Sequence, residues 1–196
     1  MVLSSLVRWG AVCSLLGGIA WCALSLESIA RPDPERYRTG LFLIPWVLSA
    51  GGIVGLHALQ HRDAGRLIRI GFWATISSML AAAVGTIAYL ADVDALRWLE
   101  AAGVVGWTVG MLLLGYATLR ARVVPAWAGV ALMLAEPATV VTALALSPWV
   151  PLQSEGSYSG AIANGIAFLM LGVGLRFHRT GTASLSVLPG TAETTA

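Results

Sequence analysis

Six stretches of roughly twenty apolar residues, separated by short polar breaks, organise the chain. As a helix, each is long enough to cross the roughly 30 Å hydrocarbon layer of a bilayer. The first, about 9–28, ends at Arg31-Pro32-Asp33-Pro34-Glu35, because proline cannot continue a helix. The second, about 41–59, opens near Pro45, which the first turns tolerate, and stops at Gln60-His61-Arg62-Asp63. The third, 67–90, is closed by Ala91-Asp92-Val93-Asp94, and the fourth, 99–119, by Arg120-Ala121-Arg122. Pro125 suits the start of the fifth, which runs to 146 and ends before Ser147-Pro148-Trp149. The sixth, about 160–177, is short. This pattern predicts an all-α polytopic membrane protein: one bundle of six transmembrane helices within residues 1–179, followed by a Gly/Thr/Ser/Ala-rich cytoplasmic tail over 180–196 that is expected to be disordered.

Composition agrees with a lipid-facing surface, since 57% of the residues are hydrophobic and only 11% charged, against about a quarter charged in soluble domains. The twelve basic residues are all Arg, exceed the ten acids by only two and form no run, which argues against a nucleic-acid partner. Their placement sets an expected orientation. Eight (Arg8, Arg62, Arg66, Arg69, Arg120, Arg122, Arg176 and Arg179) fall on the side of the N-terminus. The other four (Arg31, Arg36, Arg38 and Arg97) share the opposite side with seven of the acids. Positive charge accumulates inside, so both ends are expected in the cytoplasm, in the multi-pass topology of a bacterial inner-membrane protein. The first apolar run is longer than the core of a cleaved signal and is read as a retained span. Trp9, Trp73 and Trp127 near one set of ends, and Trp46, Trp98 and Trp149 near the other, read as interfacial anchors. Trp21 and Trp107 lie deeper and read as packing or lipid contacts.

Helices already in lipid gain little from further apolar burial, so they associate through close backbone approach and occasional hydrogen bonds. The 22 glycines are therefore informative. Gly51 and Gly55 form a small-residue stripe on the second span, and Gly106 and Gly110 a GxxxG on the fourth. The same faces could hold a second copy or another membrane protein, so both uses stay open. Cys13 and Cys22, nine positions apart on one helix, are too distant to bridge and read as small apolar residues.

Glu136 is the polar residue in the most awkward place. It sits near the middle of the fifth span, where a charged carboxylate costs about 2.5–3.5 kcal/mol on insertion scales. Pro137 follows directly and removes the helical partner of the Met133 carbonyl. Met133 and Thr139 share the Glu136 face at a spacing of three. Asn164, one turn into the sixth span, is placed to bond across helices, and His57 could pass protons between Glu136 and the cytoplasm if its ring points inward. The candidate solute- or ion-binding residues are thus Glu136, Thr139, Met133, Asn164 and His57. A structural role for Glu136, pinning a neighbouring helix by a hydrogen bond, competes with this one.

No nucleophile–base arrangement, metal-ligand spacing, phosphate loop or dinucleotide fingerprint is legible, so no catalytic residue, metal or cofactor is expected. Residues 55–62 and 115–122 share a faint pattern at an offset of sixty, as a duplicated hairpin would. The stretch Gly115-Tyr116-Ala117-Thr118-Leu119-Arg120-Ala121-Arg122-Val123-Val124-Pro125-Ala126-Trp127-Ala128-Gly129-Val130 resembles a hairpin of uncharacterised small polytopic membrane proteins of actinobacteria and related bacteria, with Ala126 where those have Arg. The resemblance implies a bacterial inner-membrane protein and carries over no site residue. Two functions follow as expectations. One is binding or translocation of a small solute or ion at Glu136; the other is a non-catalytic subunit that packs against another membrane protein through its glycine faces.

Overall fold

The computed structural model describes residues 2–32, 36–61, 65–150 and 158–177. Seven α-helices and two 3-10 turns make up the regular structure among them, with no strand. They are α1 (Val2–Ala30), α2 (Arg36–Leu41), α3 (Leu43–Gln60), α4 (Arg66–Leu90), α5 (Trp98–Ala121), α6 (Ala126–Leu146) and α7 (Ile162–Phe177). The 3-10 turns lead into α5 (Asp94–Leu96) and α7 (Ser159–Ala161). Taken with their lead-ins, these form six helical stretches long and apolar enough to cross a membrane: Ser5–Ala30, Arg36–Gln60, Arg66–Leu90, Asp94–Ala121, Ala126–Leu146 and Ser159–Phe177. The expected tail over 180–196 lies outside the described residues.

The second stretch begins earlier than hydropathy predicts, at Arg36 rather than about residue 41. Arg38, expected in a polar loop, is fully buried, with its guanidinium paired to Glu27 of α1 and bonded to the Arg31 carbonyl at 2.7 Å. The helix can start early because its one buried cation already has partners.

The six stretches form a ring in chain order, with α1 meeting both α3 and α7, and α4, α5, α6 and α7 packed in succession. The α3–α4 seam is the thinnest and is tied by the Trp46 indole, which donates to the Met79 carbonyl at 2.7 Å. Elsewhere glycine sets the approach of backbones. Gly55 lies against Gly10, so that a Cβ on Gly55 would fall 2.5 Å from the Gly10 Cα, and Gly51 lies against Cys13. Gly106 meets Ser78 and Gly110 meets Thr75 across the α4–α5 seam; Gly18 and Gly165 meet across α1–α7. The stripes on Gly51, Gly55, Gly106 and Gly110 are therefore occupied by neighbours within the chain. Gly55→Ala should cost about 1–3 kcal/mol in unfolding from detergent, since α1 and α3 would have to part. Gly40→Ala, whose Cβ would meet only a Leu90 methyl at 3.8 Å, should be neutral or slightly stabilising.

Candidate functional site

Glu136 stands midway along α6, and the helix runs unbroken through Pro137. The carboxylate is 8% exposed. Its Oε1 accepts the indole N–H of Trp107 from α5 and the amide Nδ2 of Asn164 from α7, the latter at 2.8 Å. Both bonds end on the same oxygen, so Oε2 has no hydrogen-bond partner among the described residues. Asn164 is 4% exposed, and its Oδ1 also lacks a partner among them. One buried acceptor, Asn164 Oδ1, and the second carboxylate oxygen beside it are thus left unused; the buried one is costly unless something donates to it.

Both residues line a cavity of about 360 Å³. Asn164 lies in the first turn of α7 yet reaches the middle of α6, and Gly160 just before it packs against the Thr139 carbonyl and Ala143. Aromatic rings fill the walls: Trp21 of α1, Phe42 and Trp46, Trp107, and Tyr158 before α7. They form one contact chain, with Trp21–Phe42 at 5.3 Å, Phe42–Trp46 at 4.8 Å, Trp46–Trp107 at 4.9 Å and Phe42–Tyr158 stacked at 5.1 Å between centroids. Every indole N–H in the cluster is engaged: Trp21 donates to Ser49 Oγ, Trp46 to the Met79 carbonyl and Trp107 to Glu136. The indoles thus have only ring faces and carbon edges left to offer a guest.

Three of the five expected site residues come together here: Glu136, Asn164 and Thr139. The Thr139 hydroxyl turns back to the Ala135 carbonyl at 2.8 Å, as threonine in a helix commonly does. Met133 does not line the cavity. One turn closer to the start of α6, it packs on Gly115 of α5, because a spacing of three also moves a side chain around the helix and along it. His57 is not at the site either. It stacks on Phe72 at 3.9 Å, close to His61, toward the opposite end of α3 from Trp46. Among residues not expected at a site, Trp46 is 4% exposed rather than interfacial, and Trp21 and Trp107 are cavity walls. Their depth was a signal, but depth alone does not separate a wall from a packing contact. No group of three or more His, Cys, Asp or Glu placed to hold a metal occurs among the described residues.

Burial pushes the Tyr158 hydroxyl up to about 12 from 10.0. The unfolded chain therefore loses this proton first as pH rises, while the folded chain retains it. The stabilising preference for the neutral phenol is complete below pH 10 and is lost between about pH 10 and 12, at most about 3 kcal/mol. Unfolding measured across that range should show a downward slope that Tyr158→Phe flattens.

No family model matches the chain, and neither the curated proteins nor the solved structures contain a match.

Proposed function

We propose that this is an integral membrane protein of the bacterial cytoplasmic membrane, with both ends inside, that binds a small solute bearing a protonated amine at Glu136, in the half of the bundle facing out of the cell. The observation that carries this reading is a carboxylate whose Oε2 takes no hydrogen bond among the described residues, beside the buried and unused Asn164 Oδ1, in a cavity walled by aromatic rings. A carboxylate calls for a cation, two free acceptors call for N–H donors, and the faces of Trp and Tyr attract an ammonium group by about 0.5–2 kcal/mol each. A metal ion would instead favour several oxygen ligands.

Binding, rather than an open passage, fits the other half of the bundle, where Met111, Leu114, Leu132 and Leu171 are fully buried. The partner-subunit alternative loses its motivation, since the glycine faces that suggested it are filled from within the chain. Titration of the purified protein in nanodiscs with N,N-dimethylethylammonium chloride, against sodium chloride as control, tests the reading. Saturable binding of the amine that Glu136→Gln abolishes supports it; binding indifferent to that substitution overturns it.

A further inference from the structure

The accessibility of the cavity's lining indicates where it opens. The lining contributed by α1 and α3 is buried: Trp21 is 2% exposed and Trp46 4%. On the other side Val104 of α5 is 42% exposed, and Thr139 and Ala143 of α6 are half-buried. The gap thus lies between α5 and α6.

The packing of those two helices explains the gap. They approach closely where Gly115 faces Gly129 and Met133; a Cβ on Gly115 would fall 2.7 Å from the Met133 nitrogen. That contact lies on the side of Glu136 toward the α5–α6 turn. Beyond Glu136, α6 has no buried residue as far as Leu146. Val104 is six residues into α5, roughly 9 Å below its start, a depth that in a bilayer belongs to acyl chains rather than to water.

We infer that the ligand enters sideways from the outer leaflet between α5 and α6, and that it is an amphiphile: an ammonium group for Glu136 with an apolar chain left lying in the gap at Val104. This rests on the reading of Glu136 as an ammonium site. It adds the route and the chain. Glu136 is near mid-membrane, so a headgroup drawn in along this route exchanges water for the carboxylate and the aromatic walls, while the chain never leaves an apolar medium.

The test compares N,N-dimethyldodecylamine with N,N-dimethylethylamine on the protein in phosphatidylcholine nanodiscs, with empty nanodiscs as blank. The long-chain amine is expected to bind at least a hundredfold tighter by total concentration. Val104→Trp, filling the gap from a lipid-exposed position, should weaken binding of the long-chain amine at least tenfold more than that of the short one. Val104→Phe should do the same to a smaller degree and guards against a folding defect in the larger variant. If the two amines bind alike, or Val104→Trp affects neither, lateral entry is wrong, and a short amine still lost in Glu136→Gln shows that the ammonium site survives. If neither amine depends on Glu136, the underlying reading fails and takes this inference with it. Adding phosphatidylethanolamine separates the sources of ammonium: competition assigns the site to a lipid headgroup, and its absence to a free lipophilic amine.

Discussion

Glu136→Gln should lower the affinity for N,N-dimethylethylammonium at least a hundredfold while leaving the protein folded. The side chain keeps its size, and its carbonyl can still accept from Trp107 and Asn164, which both bond to Oε1 in the native protein. Only the charge is removed. At about 4 Å and an effective dielectric of about 20, a carboxylate and an ammonium attract by about 4 kcal/mol. Desolvation of the ammonium is common to the native and Gln proteins and cancels from the difference, so this attraction covers the roughly 2.7 kcal/mol that a hundredfold represents. Glu136→Ala is the contrasting variant. It leaves the Trp107 N–H and the Asn164 amide buried without an acceptor, at about 1–3 kcal/mol each, so it should lower the unfolding temperature as well as abolish binding. A Gln variant that binds like the native protein would reduce Glu136 to a structural tie between α5, α6 and α7.

The second large effect belongs to the opposite end of α3 from His57, where Arg38 is buried against Glu27. Glu27 also accepts from the Tyr37 hydroxyl at 2.5 Å and remains about a third exposed, whereas Arg38 has no exposed surface. Breaking the pair should therefore be asymmetric. Glu27→Leu removes the carboxylate paired with a buried guanidinium, and should cost about 3 kcal/mol, the low end for breaking a buried pair because this one lies near the bundle's edge. Arg38→Met leaves Glu27 with water and Tyr37 and should cost distinctly less. The double variant should recover most of the loss. Chemical unfolding in detergent reads all three, and equal losses in the two single variants would show that Arg38 reaches solvent.

Neither Arg38 nor the aromatic walls could be placed by reading along the chain, for related reasons. Arg38 looks like a loop residue because it follows a run of prolines and charges over 31–36 that resembles a break between helices, and its partner Glu27 belongs to another span. Trp46 resembles an interfacial anchor because a tryptophan near the end of a span has the same local sequence whether it turns toward headgroups or inward. Met133 and His57 err differently: helical spacing puts them on or near a face, but whether that face meets a cavity or another helix depends on the neighbours. Asn164 was legible as an amide that bonds across helices, since an amide inside an apolar span needs a partner; that the partner is Glu136 came only from the structure.

The sequence by itself determined the number of membrane-length helices, their order, their ends to within about two residues except the starts of the first two, and the existence of one costly carboxylate among them. All of these follow from local chemistry: twenty apolar residues, a proline or arginine at a boundary, a charge at mid-span. Only the tertiary structure decided the rotation of each helix about its own axis, and with it the five aromatic rings, the two unused acceptors and the gap beside Val104. In a soluble helix the polar face reveals that rotation. In helices apolar enough to cross a membrane no polar face marks the rotation, so every face reads alike until neighbouring backbones, brought together at Gly10, Gly55 and Gly115, choose which one turns inward.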